Sequence, residues 1–166
     1  MKKNAVAKAL ADMPGFIKRG SFYVGTCNDS VIAGYSLDAP PSAVYVWRFL
    51  IPAYDNVEFL HMSLGKRILT LPQSSEEGIV ELSESVQRDW SDFSKVTDCG
   101  SLIKYLDVEQ LVSPYALWVR YLTHIQCKEF DAAERLNADA SVAKKLSELQ
   151  AVSKSLAELS EVRSRG

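Results

Sequence analysis

The chain has 166 residues, 47% of them hydrophobic and 24% charged, a balance that excludes a disordered or fibrous protein. A chain this long can bury roughly two thirds of its unfolded surface in one core, so no disulfide or metal staple is required. A formal net charge of −2 gives no global attraction toward a phosphate backbone or an anionic bilayer, so neither nucleic acid nor membrane is an expected partner.

The charge is unevenly spread: residues 1–70 carry 8 Lys or Arg against 5 Asp or Glu, and residues 71–166 carry 11 against 16. Much of the early positive charge sits at Lys2, Lys3, Lys8, Lys18 and Arg19, which fits the solvated face of a terminal helix. Lys8 and Asp12 interrupt any signal-peptide core, and Arg48 breaks the longest apolar run well short of a membrane span. Cys27, Cys99 and Cys127 are odd in number and widely spaced, a poor disulfide framework that fits free thiols in a reducing, cytoplasmic compartment.

Lys2 to Asp12, rich in Ala and Lys, predicts a short helix ended by Pro14 and Gly15, after which Phe16 and Ile17 fold back onto the core. Ser21 to Cys27 and Val31 to Leu37 are β-rich runs separated by Asn28, Asp29 and Ser30, which predicts a hairpin. Pro40 and Pro41 cannot donate to a ladder and mark a connection. The strongest strand follows over Ala43 to Ile51, with Tyr45, Trp47, Phe49 and Ile51 on one face and Val44, Val46, Arg48 and Leu50 on the other. Pro52 stops it, and Val57 to Leu64 reads as a further strand ending at Gly65, so an antiparallel meander is the simplest topology.

Beyond Pro72 the period changes. Ser74 and Glu77 form a capping-box pattern before the stripe Ile79, Leu82, Val86, Trp90 and Phe93, with Glu81, Glu84, Arg88 and Asp92 outward. Cys99 and Gly100 interrupt, Leu102 to Val112 is a shorter amphipathic segment, and Ser113 with Pro114 opens a helix running to about Gln126. Glu129 to Leu136 is its partner, and Tyr115 to Leu136 resembles a single helical hairpin of tetratricopeptide type, with no second copy to build a solenoid. A last amphipathic helix is expected from Asp139 to about Val162, its stripe carried by Val142, Leu146, Leu149, Val152, Leu156 and Leu159.

Familiar chemistry finds little support. Among His61, His124 and the cysteines, His124 and Cys127 are the one close pair, and two ligands are fewer than a zinc site uses, so neither metal nor cofactor is expected. No cysteine has a family-specific flank, and Gly65, Lys66 and Arg67 lack the upstream glycine and following hydroxyl of a P-loop. His61 shares a face with Val57 and Phe59; a satisfied core histidine is the simpler reading, although it is the best acid or base candidate present. Arg48, between Trp47 and Phe49, must reach water, a carboxylate or a ligand, because an unpaired buried charge is costly.

The expectation is therefore an α+β fold in one domain over 1–166, with a β-rich part over 1–72 that includes the short helix and a helical part over 73–166. A mainly antiparallel sheet of four or five strands carries helices on one face. The leading functional reading is a non-catalytic protein-protein interaction factor of accessory, adaptor or immunity-like kind. It would bind another protein, or a second copy of itself, through Tyr45 and Trp47 on an aromatic sheet face or through Leu149, Leu156 and Leu159 on the terminal helix. Its rival is a small enzyme or small-ligand binder with Arg48, His61 and Arg67 converging at the sheet-helix junction.

Overall fold

The protein is described from a computed structural model covering residues 3–55, 62–72, 78–139, 142–145 and 147. Helix α1 spans Lys3–Ala11, and the chain leaves it through Pro14 and Gly15, whose φ of 87° is left-handed and suits a residue without a Cβ. Five strands follow: β1 (Ile17–Arg19), β2 (Phe22–Cys27), β3 (Val31–Asp38), β4 (Ala43–Pro52) and β5 (Lys66–Pro72). They lie side by side in chain order and every pair is antiparallel, so the sheet is a meander.

The β2–β3 turn uses the Asn28 side chain, whose Oδ1 accepts from the backbone N–H groups of Ser30 and Val31 at 2.9 and 2.8 Å. Pro40 and Pro41 lie in the β3–β4 connection. The strand expected over Val57 to Leu64 is corrected in its described part: residues 62–64 form a single 3-10 turn, and the next strand begins at Lys66, beyond Gly65. Gly65 is needed there, because a Cβ would stand 2.3 Å from the Arg48 carbonyl oxygen. Residues 56–61, which include His61, lie outside the described residues.

The helical half comprises α2 (Gly78–Phe93), α3 (Cys99–Val108), α4 (Pro114–Gln126) and α5 (Phe130–Ala138). The Ser74 and Glu77 capping pattern falls outside the described residues. Helix α3 begins three residues earlier than the sequence suggests: Cys99 and Gly100 are its first turn rather than a break. Asp98 and Ser101 close a reciprocal capping box, each side chain bonding the other residue's backbone N–H, at 2.8 and 3.0 Å. Ser113 caps α4 through Ala116 N–H and Pro114 occupies its first turn, as expected. Asp139 then accepts from Val142 N–H ahead of a helical stretch over 142–145. Val142, the first residue of the terminal stripe, packs against the core cluster of α3 and α4, and Leu149, Leu156 and Leu159 lie outside the described residues.

The core lies on one side of the sheet. Val44, Val46 and Leu50 of β4 and Val31, Ala33, Tyr35 and Leu37 of β3 pack with Val6 and Leu10 of α1, Leu82, Val86 and Phe93 of α2, Leu102 and Leu106 of α3, and Ala116 and Val119 of α4. Phe16 joins this side against Tyr35 and Trp90, at 5.6 and 4.8 Å between ring centres. Ile17, in contrast, is 60% exposed: it pairs with Val24 in the edge strand instead of folding onto the core. The architecture is thus an α+β fold with a five-stranded antiparallel sheet followed by helices.

Candidate functional site

Alternation along β4 sends its polar and aromatic side chains to two different places. On the helix side Arg48 is only 8% exposed in its side chain. Its Nη1 donates to Asp89 Oδ1 of α2 at 3.0 Å, and its Nη2 donates to Glu109 Oε1 at the end of α3 at 2.9 Å and to Tyr105 Oη at 3.3 Å. The guanidinium also lies 4.5 Å from the centre of the Phe93 ring. Tyr35 donates to the second Asp89 oxygen at 2.7 Å, Tyr105 donates to Leu64 O, and Lys66 approaches Glu109 at 3.6 Å.

Burial alone would lower the Arg48 pKa, but Tyr105, Asp89 and Glu109 raise it, so the side chain is held charged. Burial pushes the Glu109 carboxyl up, yet Arg48 and Lys66 together bring it below its ordinary value. Tyr35 is driven well above the usual phenol range by burial and by Asp89. The cluster borders a cavity of about 400 Å³ at the sheet-helix junction, lined by Phe93, Lys104, Tyr105 and Val108 among others. Its cation is already answered by two carboxylates, which makes it a strut between β4, α2 and α3.

The opposite side of the sheet receives Tyr45 and Trp47, both half-buried, and no helix packs over them among the described residues. Register puts one row of side chains straight across this face: Arg19 opposite Phe22, Phe22 opposite Ser36, Ser36 opposite Trp47, and Trp47 opposite Arg67. The Arg67 guanidinium lies 4.8 Å from the Tyr45 ring centre and 5.6 Å from that of Trp47, so it stacks on both. Ser36 is the small residue of the row. Between Phe22 and Trp47 it leaves a shallow, open cavity of about 470 Å³, which Asp38 and Met62 also line. One row below, Phe49 is 2% exposed and meets Phe22 edge-on at 5.5 Å.

The structure therefore separates the residues that the sequence grouped. Arg48 and Arg67 project from opposite faces of the sheet, and His61 lies outside the described residues. The His124 ring pairs with Glu129 at 2.7 Å rather than with Cys127, which neighbours Cys99 at the same end of the α3–α4 hairpin. Among the described residues no cluster of three or more His, Cys, Asp or Glu is placed to hold a metal, and no helix is long and apolar enough to cross a membrane.

Asp89 and Glu109, the partners of Arg48, carry a sequence signal of their own. Asp89 lies three residues after Val86 and seven after Leu82, and Glu109 stands in the same relation to Leu106 and Leu102, so each is a carboxylate on the apolar stripe of its helix. Phe22, Ser36 and Arg19 could join Trp47 and Arg67 only once the strand register was known. No protein-family model, curated protein or solved structure matches this chain.

Proposed function

We propose that this chain is a non-catalytic binding protein that docks another protein on the uncovered face of its sheet. The row Arg19, Phe22, Ser36, Trp47 and Arg67 supports this reading: an apolar trough with a cation at each end, on the face that no described helix covers. Trp, Tyr and Arg are the residue types that dominate binding energy at protein interfaces, and here Tyr45, Trp47 and Arg67 are stacked together.

The partner that fits is a protein surface presenting an apolar side chain to the trough and carboxylates to Arg19 and Arg67. Among the described residues no carboxylate pairs with either arginine. Strand spacing puts the two ends about 19 Å apart, wider than a small metabolite and suited to a strand or helix of a partner. The alternative of a small-ligand pocket has the cavity beside Arg48 in its favour, but there the cation is already neutralised. A reducing, cytoplasmic setting accords with the free cysteines.

A photoreactive residue at Thr70, which is exposed on β5 opposite Tyr45, tests this in native extract. We expect one dominant adduct, with a specific protein or a second copy, that disappears with Ser36→Leu, which fills the trough, and with Arg67→Glu. Adducts that survive both substitutions, or that form equally from Val80 on α2, would overturn the reading.

A further inference from the structure

The fold brings together two cysteines that stand far apart in sequence. Cys99 is the first residue of α3, directly after its cap Asp98, and Cys127 is the residue that closes α4. The two helices are joined by the short link over 109–113 and fold back on each other, so the start of α3 reaches the end of α4. Buried Leu102, Leu106, Ala116 and Val119 fix the pairing inside, and an Asp107 to Arg120 ion pair fixes it outside. In that arrangement Cys99 and Cys127 are neighbours at one end of the α3–α4 hairpin. Tyr54, just past the end of β4, reaches the same end of the hairpin: its hydroxyl bonds Thr123, one turn before Cys127.

We propose that Cys99 and Cys127 form an oxidisable dithiol, a site at which a peroxide converts two free thiols into an intrachain disulfide that ties α3 to α4. Both thiols are only partly buried, so a small oxidant can reach them. They stand at the same end of one helix hairpin, which shortens the search that bond formation otherwise requires. Burial, then the neighbouring Cys99, push the Cys127 thiol up to about 12, so Cys127 is protonated at neutral pH.

The steps balance with one peroxide. The Cys99 sulfur attacks one peroxide oxygen, the O–O bond breaks, and the departing hydroxide takes the thiol proton as water, leaving a sulfenic acid. The Cys127 sulfur then attacks the Cys99 sulfur, the S–O bond breaks, and the second water leaves with the Cys127 proton. Two thiols are oxidised by two electrons in all, and one peroxide is reduced to two waters. Cys27 is exposed at the end of β2 and serves as the internal control.

The experiment exposes the purified chain to hydrogen peroxide and follows intact mass, alkylation and non-reducing peptide maps. We expect a Cys99 to Cys127 linkage with the loss of two hydrogens, Cys27 not part of the linkage, and full reversal by dithiothreitol. Cys27→Ser should keep the linkage. Cys127→Ser should stop at a dimedone-trapped sulfenic acid on Cys99, and its thermal midpoint should lack the upward shift that oxidation gives the unsubstituted chain. Far-UV circular dichroism of the variants confirms that they are folded. Cys99 and Cys127 both still alkylatable after peroxide, a linkage involving Cys27, or crosslinking between chains through Cys99 would each overturn the proposal.

Discussion

Arg48 binds a carboxylate through each of its terminal nitrogens, Asp89 on one and Glu109 on the other, while its buried Nε finds no acceptor among the described residues. Such a charge contributes little net stability by its presence, but its removal strands two partly buried carboxylates. We expect Arg48→Met to cost about 3 kcal/mol in urea unfolding, much of it recovered when Asp89→Asn and Glu109→Gln are added. Glu109 also sets a pH dependence. Its carboxyl is held below the ordinary value of 4.5 in the folded chain, so its ionisation adds stability that is complete above that value and is lost as pH falls through the lower folded one. Glu109→Gln should therefore be less stable than the unsubstituted chain at neutral pH. The gap should close on acidification, as read from urea midpoints across that range. That Arg48 needs a counter-charge is legible from its place between Trp47 and Phe49. Which carboxylates supply it is set by how α2 and α3 dock on β4, a long-range relation that appears only as carboxylates lying on apolar stripes.

Among the elements, the start of α4 was legible from local chemistry, the start of α3 was missed although its signal is local too, and the strand pairing depends on a neighbour that the sequence does not name. Ser113 and Pro114 mark the start of α4 by themselves. Cys99 and Gly100 read as an interruption because glycine is a poor helix former, yet the Asp98 and Ser101 box offsets that cost and starts α3 at Cys99. The β2–β3 pairing has a similar hidden determinant. A Cβ on Gly34 would stand 2.0 Å from the Tyr23 carbonyl oxygen, a backbone atom that cannot swing aside, next to the bulge at Gly25. Gly34→Ala should therefore force β2 away from β3 and cost about 3 kcal/mol or more, seen in urea unfolding and in faster amide exchange confined to β1 and β2.

At the scale of the whole molecule the decisive feature is that one sheet serves two environments. The alternation along β4 is apolar on both faces in sequence, which suits a central strand, and β4 lies inside the sheet between β3 and β5. In the structure, helices α1 to α4 seal the face of Val44, Val46, Arg48 and Leu50, while Tyr45 and Trp47 stay half-buried on the other. Composition cannot distinguish a covered aromatic face from an open one, because the same side chains suit both. Stability measurements can. Truncation to alanine at Val44, Val46 and Leu50 should cost about 2–4 kcal/mol each, since every one empties packed space. Tyr45→Ala and Trp47→Ala should cost no more than about 1 kcal/mol while weakening capture at Thr70. Phe49 is the instructive exception: it points to the open side but is covered by Phe22, so its truncation should behave like a core loss. If Trp47→Ala proves as costly as Leu50→Ala in urea unfolding, this face is already filled from within the chain, and a partner has no room to dock.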